Sequence, residues 1–206
     1  MTYHTIGSDS VAEIETKKSR FIAWVCPASK QAEAEDILSQ AKTNWPGATH
    51  YCYAWILRET KSERCSDAGE PSGTAGLPIL TVLKNHRLEN VVAVVVRYYG
   101  GILLGSSGLI RAYSDSVRRA LDNVEIIHYQ PGCRVRITID YSNLGQVQHW
   151  LELTPNLLIE SIEYTDKVII GISLPLPGSH EMETQIEEMT AGRGIIEVLG
   201  ECMIKT

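Results

Sequence analysis

Apolar and polar residues alternate along the chain with two different periods, which predict strands that alternate with helices. Residues Val91 to Val96 are all apolar, a pattern typical of a strand buried on both faces. From Leu109 to Ala120 the apolar residues recur at helical spacing, which predicts an amphipathic helix after a glycine-rich turn. The same periods predict strands over 19–25 and 49–57, helices over 29–45 and 74–85, and a polar loop from 58 to about 74.

The last third of the chain shows the alternation most clearly. Its strands and helices follow one another in the order βαββαβ, which is the ferredoxin-like plan. Strands are predicted over 133–140, 156–164, 167–176 and 194–204, and helices over 142–153 and 179–190.

Pro131 and Gly132 separate this last segment from the rest, and Pro-Gly is typical of a turn or linker. We therefore expect two domains, 1–131 and 132–206. In the first domain the strands alternate with helices, which predicts a sheet with helices packed on it. The fold class expected for the whole chain is α+β.

Charge is distributed unevenly between the two predicted domains. Residues 1–131 carry 14 Lys and Arg against 14 Asp and Glu, whereas residues 132–206 carry 5 against 11. The net charge of -6 therefore lies in the second domain, which would repel a polyanion. The first domain can still carry a local basic face.

Composition excludes several classes of protein. No stretch approaches the ~18 consecutive apolar residues of a membrane span, and the polar start is unlike a signal peptide, so we expect a cytoplasmic protein without membrane contact. The five cysteines are scattered without C-x-x-C spacing, which indicates neither a zinc site nor a redox pair. No serine or cysteine nucleophile has a histidine partner that spacing reveals. We predict no metal and no cofactor, and no catalytic residue is assigned.

The glycine-rich turn before the predicted helix 109–120 is the first candidate binding site. A helix start leaves backbone N–H groups unpaired and carries a partial positive charge, and glycines let a ligand approach the backbone closely. The spacing fits neither nucleotide-binding fingerprint, so a tight turn with the arginine paired to a local carboxylate is an equal alternative. The candidate contacts to a phosphate or RNA are Arg97, Tyr98, Gly100, Gly101, Gly105, Ser106 and Ser107.

The loop Ser66 to Pro78 is the second candidate, because glycines and prolines fix its path. It holds two carboxylates, Asp67 and Glu70, and leads to Thr74, the expected helix cap. The carboxylates can bind Mg²⁺, do acid–base work, or accept backbone N–H groups and lock the loop. Locking is the role that we place first.

The third candidate is the densest basic cluster of the chain, formed by Lys17, Lys18 and Arg20 at the start of a predicted strand. Alone, such a cluster protects a strand edge from pairing with another chain. Beside Arg97 it would form a face that contacts phosphates.

Four stretches taken together resemble the IMPACT/YigZ family. They are "KSRF", "HYCYAW", "SDAGEPSGTAGLP" and "VVVRYYGGILLGSSGL", and they occur in this order over about the first 130 residues. The last segment is similar to the small C-terminal domain of the bacterial members. Ala68 departs from relatives that carry a second acid after Asp67, which weakens any metal site that needs it.

The resemblance implies a first domain like the fourth domain of elongation factor G, with a left-handed βαβ crossover, and a second domain like its fifth. It also implies a link to translation, since eukaryotic members regulate translation by binding the activator of a stress kinase. No catalytic activity is attached to the family.

Three functions stay open on the sequence. The favoured one is a translation-associated binding protein that contacts RNA, the ribosome or a translation-control protein through the face around Arg97. The second is an enzyme on a phosphorylated small molecule, with Asp67 or Glu70 as base or Mg²⁺ ligand. The third is a protein-interaction adaptor whose motifs serve folding alone.

Overall fold

The first part of the chain folds around one five-stranded antiparallel sheet. The computed structural model describes residues 2–176 and 179–205, without the side chains of 179 and 180. The strand order is β2-β3-β6-β4-β5. The elements are β1 (Tyr3–Ile6), β2 (Ser10–Thr16), β3 (Ser19–Pro27), α1 (Gln31–Asn44), β4 (His50–Leu57), β5 (Ser62–Ser66), α2 (Gly76–Asn85), β6 (Val91–Tyr98) and α3 (Ser106–Leu121).

Strand β6 lies in the middle of this sheet and is covered on both faces, which confirms the prediction from its apolar run. Val91, Ala93 and Val95 belong to a core that includes buried residues of α2 and α3. The alternate residues of the strand, among them Val94, belong to a second core that includes Ala34 of α1. Because successive side chains of a strand point to opposite faces, one strand supplies both cores.

Helix α1 joins two strands that run parallel to each other. Both β3 and β4 pair antiparallel with β6, which lies between them. The chain therefore forms a βαβ crossover over one strand. The left-handed sense of that crossover stays a prediction.

The last part of the chain has the ferredoxin-like arrangement that the sequence predicts. Its four strands are all antiparallel, in the order β10-β7-β9-β8, and the core includes buried side chains of both helices. The elements are β7 (Ile126–Ile139), α4 (Leu144–Leu153), β8 (Leu158–Tyr164), β9 (Val168–Pro175), α5 (Ser179–Thr190) and β10 (Ile195–Lys205).

The structure has no turn at Pro131 and Gly132, contrary to the prediction from the sequence. Both residues lie within β7, where Gly132 pairs with Pro175 on one side and Cys202 on the other. A Cβ at Gly132 would lie 2.6 Å from the carbonyl oxygen of Leu174, so the glycine permits close strand packing and does not make a turn. Contacts group the chain into two compact units, Tyr3–Ile127 and a second that begins at His128.

Helix α2 also begins later than predicted. Ala75, not Thr74, is the N-cap residue, and the hydroxyl of Thr74 donates a hydrogen bond of 2.6 Å to the carbonyl oxygen of Pro71. The backbone amides of Ala75 and Gly76, at the start of α2, donate instead to the carboxylate of Asp67 in the preceding loop. Among the described residues no helix is both long and apolar enough to cross a membrane.

Candidate functional site

Arg97 is the residue on which the predicted motifs converge. It lies near the end of β6, opposite Phe21 of β3 and His50 of β4 in the sheet register. The side chain is buried, with 5% of the residue exposed. A guanidinium is seldom buried without a partner, so its contacts decide what it does.

Glu70 from the acidic loop 66–78 pairs with this buried arginine. Its Oε1 atom accepts a hydrogen bond of 2.5 Å from Arg97 Nη1 and one of 2.8 Å from the hydroxyl of Tyr113 on α3. His50 Nε2 lies 3.8 Å from the same oxygen. Glu70 is itself 8% exposed, so the pair joins the loop, the sheet and α3 inside the protein.

Ser19 extends the network to the glycine-rich turn. Its hydroxyl oxygen accepts a hydrogen bond of 3.4 Å from Arg97 Nη2 and one of 3.1 Å from the backbone amide of Gly100. A Cβ at Gly100 would collide with the carbonyl group of Lys18, which only glycine avoids. The β2–β3 turn and the glycine-rich turn therefore touch through their backbones.

Sequence reasoning missed three members of this network, which are Ser19, Cys52 and Tyr113. The Cys52 thiol lies 3.3 Å from the Tyr113 hydroxyl and 2.9 Å from the carbonyl oxygen of Asp67. Desolvation raises the pKa of Cys52 to about 12 and is the main cause that raises the pKa of Tyr113, so both stay protonated at neutral pH. Apolar spacing predicts that Tyr113 is buried in α3 but carries no signal for the partner of its hydroxyl. We call these residues the Arg97 cluster: Ser19, Cys52, Glu70, Arg97 and Tyr113.

Asp67 locks the loop between β5 and α2. Its two oxygens accept hydrogen bonds of 2.8 to 2.9 Å from the backbone amides of Gly73, Ala75 and Gly76. Desolvation raises the pKa of Asp67, but these three amides outweigh it and hold the pKa below its usual value. The ionised carboxylate thus occupies the start of α2 and fixes the path of the loop.

These contacts favour the structural alternatives for the acidic loop and for Arg97. Arg97 is paired with a local carboxylate, and Asp67 binds amides of its own loop. As ligand contacts, Arg97, Asp67 and Glu70 stay predictions that the geometry does not favour. Within the described residues, no three His, Cys, Asp or Glu side chains gather closely enough to hold a metal ion.

The basic cluster and the glycine-rich turn also form an exposed surface, which is separate from the buried Arg97 cluster. Lys17 and Lys18 form the β2–β3 turn in left-handed conformation, with φ of 48° and 62°. Lys17 Nζ donates a hydrogen bond of 3.3 Å to the carbonyl oxygen of Leu103 in the glycine-rich turn. We call this surface the lysine–glycine face, and it comprises Lys17, Lys18, Tyr99, residues 100–105, Ser106 and Ser107.

Helix α3 begins on this face without a capping side chain. Its N-cap is Gly105, with φ of 74°, and both Ser106 and Ser107 are exposed. A cavity of about 290 Å³ lies beside this start and is open to solvent. Its lining is Thr16, Lys17, Leu104, Ser107, Gly108, Arg111, Ala112 and Asp115.

Two predicted contacts, Arg20 and Tyr98, are engaged elsewhere. Arg20 forms a bidentate pair with Glu13, at 2.7 and 3.0 Å, and lies over the ring of Tyr98. The Tyr98 hydroxyl donates to the carbonyl oxygen of Pro46 at 3.1 Å. The neighbouring tyrosine, Tyr99, is the one that faces solvent, with 45% of its surface exposed. Successive side chains of a strand point to opposite faces, so the sequence does not show which of the two adjacent tyrosines faces solvent.

Comparison with known proteins places these features in a family. A model of the Impact N-terminal domain matches residues 17–121, and a model of a domain of unknown function (DUF1949) matches residues 137–193. A crystal structure of a hypothetical protein is similar over 97% of this chain and 98% of its own, with a TM-score of 0.61 and 28% identity.

The relatives by sequence carry one family name. The IMPACT family member YvyE of Bacillus subtilis is 36% identical over 197 residues, which is 95% of this chain and 90% of that protein. The IMPACT family member YigZ of Escherichia coli is 32% identical over 86% of this chain and 88% of its own. Protein IMPACT of Homo sapiens is 34% identical over 98 residues, which is 45% of this chain and 30% of that protein. With both domain models matched in order and such identity over nearly its whole length, the chain belongs to the IMPACT family.

Proposed function

We propose that the protein is a translation-associated regulatory protein of the cytoplasm that binds RNA through the lysine–glycine face. The link to translation rests on membership of the IMPACT family and on the fold, like the fourth domain of elongation factor G, that the family resemblance implies for the first domain. The choice of face rests on one observation. Lys17 and Lys18 form a turn that contacts the glycine-rich turn through a hydrogen bond and the backbone of Gly100. No ion pair among the described residues involves either lysine.

Electrostatics favour a polyanion at this face. Unpaired lysines gain affinity for a phosphate backbone because each contact releases condensed counterions. Arg111, which lines the adjacent cavity, adds a third cation without a carboxylate partner in the described part of the chain. The acidic residues of the chain are in excess after residue 131, so repulsion would restrict RNA to the first unit.

A binding titration against salt tests the proposal. Labelled transfer RNA and isolated ribosomes are titrated with the protein from about 50 to 200 mM salt, and affinity is expected to fall steeply over that range. The double substitution Lys17→Asn, Lys18→Asn should weaken binding and reduce the salt slope by about 1 per lost phosphate contact. Asparagine is the appropriate replacement because it tolerates positive φ.

Lys42→Gln is the matched control, because Lys42 is an exposed lysine in the last turn of α1. Its removal should leave both affinity and salt slope unchanged. If the wild-type protein binds neither transfer RNA nor ribosomes at the low end of the salt range, the proposal of RNA binding is wrong.

The enzyme alternative receives less support from the geometry. It needs the acidic loop and Arg97 to meet, and they do meet, but as an ion pair. Glu70 Oε1 already accepts two hydrogen bonds, and the carboxylate of Asp67 accepts three from backbone amides. A general base or a metal ligand needs a free lone pair directed at substrate or ion, which these contacts do not favour.

A further inference from the structure

Tyr99 is an exposed aromatic residue of the lysine–glycine face whose backbone is anchored by hydrogen bonds. It directly follows β6, and its backbone amide donates a hydrogen bond of 3.1 Å to the hydroxyl of Thr49. The next amide, that of Gly100, is held by Ser19. The backbone on both sides of the ring is therefore anchored to the sheet, whereas the ring itself is 45% exposed.

The buried Arg97 supports this ring from beneath. Its guanidinium carbon lies 5.3 Å from the ring centroid of Tyr99 and 5.3 Å from that of Phe21. The same guanidinium is paired with Glu70, so its position under the ring is set by contacts inside the protein. A cation over one side of the ring leaves the other side for a second planar group.

The surroundings of the ring suit a nucleic acid better than a buried protein contact. Lys17 and Lys18 lie on the turn that touches Gly100, the residue after Tyr99. Among the described residues, the polar contacts of Tyr99 are that of its backbone amide with Thr49 and that of its ring with Arg97, so its hydroxyl accepts and donates no hydrogen bond there. Rigid aromatic rings beside cations are the arrangement with which proteins stack single-stranded bases.

We propose that Tyr99 stacks on an unpaired base, so that the RNA bound at the lysine–glycine face is single-stranded at this point. This inference rests on the proposed function and specifies its ligand. In an A-form duplex the bases are stacked on each other and their faces are closed to a protein ring. Tyr99 supplies the contact to the base, and Lys17 and Lys18 supply contacts to the neighbouring phosphates.

Three matched RNA probes test the inference. The first is a labelled single strand of about 12 nucleotides, a length within the range that single-strand grooves cover. The second is the duplex of this strand with its complement, and the third is the same strand with abasic sites at its centre. The wild-type protein should bind the single strand most tightly. The abasic strand keeps the phosphates, so its weaker binding would isolate the stacking contribution.

Substitutions at Tyr99 separate stacking from other roles. Tyr99→Ala should lower affinity for the single strand by about tenfold or more, and should abolish the difference from the abasic strand. Tyr99→Trp should still bind the single strand more tightly than the abasic strand, because the indole ring also stacks. Tyr99→Leu should bind the two strands equally, because leucine is apolar but cannot stack. Urea denaturation of each variant checks that the fold persists, and Tyr164→Ala is the control because Tyr164, on β8, is 62% exposed.

The outcomes distinguish the inference from the proposal beneath it. Suppose that the double variant Lys17→Asn, Lys18→Asn loses affinity for RNA, but the folded Tyr99→Ala variant binds the single strand as the wild type does. RNA binding at this face then stands, and the stacking of Tyr99 on a base is wrong. Equal wild-type affinity for the single and the abasic strand also overturns stacking. If the wild-type protein binds transfer RNA or ribosomes but none of the three probes, the proposed function stands and this inference is wrong. If it binds neither the probes nor transfer RNA nor ribosomes, both are wrong.

Discussion

The Arg97 cluster and the lysine–glycine face come from the same sequence motifs, but their polar groups have opposite surroundings. In the cluster, Arg97 and Glu70 are 5% and 8% exposed and form an ion pair with each other. On the face, Lys17 and Lys18 are exposed, and within the described chain no carboxylate neutralises them. The difference indicates two roles for these motifs. The cluster joins the acidic loop, the sheet and α3, and the face exposes cations to solvent.

Ser19 and Gly100 connect the two regions. Ser19 bonds both the buried guanidinium and the amide of Gly100, and Gly100 contacts the lysine turn. The cluster thereby positions the face without reaching solvent. Substitutions in the cluster should act first on stability, and substitutions on the face should act first on binding.

The largest effect is expected from Arg97→Ala. It leaves the carboxylate of Glu70 buried without its charged partner, and breaking such a pair costs about 3–5 kcal/mol in the free energy of unfolding. Urea denaturation monitored by circular dichroism measures the loss.

Arg118→Ala is the control for this substitution, because Arg118 pairs with Asp115 at 2.7 Å on the exposed side of α3. An exposed pair contributes about 0–1 kcal/mol, so this variant should keep nearly wild-type stability. An Arg97→Ala protein that is as stable as the Arg118→Ala protein would contradict the structural role of the cluster.

The next effect is expected from Asp67→Asn and depends on pH. An amide replaces a charged acceptor of three backbone N–H groups, and hydrogen bonds to charged groups contribute about 1.5–3 kcal/mol. The folded state holds the pKa of Asp67 below its unfolded value of about 3.9, so this stabilisation is present above that pH and is lost as pH falls through the folded pKa.

Unfolding curves from neutral pH down to below about pH 4 therefore check this prediction. On acidification the wild type should lose the stabilisation that the ionised Asp67 provides, which the Asp67→Asn variant lacks at every pH. The free energies of unfolding of the two proteins should therefore converge at low pH. Asp122→Asn is the control, since Asp122 is exposed at the end of α3. Parallel curves for the wild type and Asp67→Asn would show that Asp67 does not cap α2 as an anion.

The fold was largely predictable from the sequence, since periodicity reflects burial directly. The six apolar residues of β6 and the alternation after residue 132 identify their elements correctly. The predicted turn at Pro131 was wrong because pairing with β9 and β10 outweighs a local turn preference. Likewise, Thr74 is a residue type typical of helix caps, but the carboxylate of Asp67, several residues earlier in the chain, accepts the hydrogen bond at the helix start.

The site was less predictable, because the sequence does not show which polar side chains are buried. Arginine is usually exposed, so the motif alone favoured a surface role for Arg97 as much as a pair with a carboxylate. Cys52 and Tyr113 belong to an apolar pattern, and only tertiary packing reveals that their polar atoms join the cluster. For the same reason the exposure of Tyr99, rather than Tyr98, became known only from the structure.

Gly100→Ala tests the connection between the two regions. The new Cβ would meet the backbone of Lys18, which cannot move aside as a flexible side chain can, and such overpacking costs about 1–3 kcal/mol. Because the lysine turn must shift, RNA affinity should fall together with stability. Gly145→Ala in α4 is the control, since nothing lies within 4 Å of its Cβ position and alanine favours a helix. A Gly100→Ala protein with lowered stability but full RNA affinity would separate the cluster from the face.

The smallest effect on stability is expected from Lys17→Asn, Lys18→Asn. Both side chains are exposed, neither has a carboxylate partner in the described chain, and asparagine accepts the left-handed backbone of the turn, so the free energy of unfolding should change by less than about 0.5 kcal/mol. The substitution removes the hydrogen bond from Lys17 to the carbonyl oxygen of Leu103, but this bond is exposed and competes with water, so its removal should cost little. Urea denaturation of this variant beside Arg97→Ala measures the contrast between the two regions. A loss of several kcal/mol in the lysine variant would mean that the face also holds the fold together, and its cations would then no longer be evidence for a ligand.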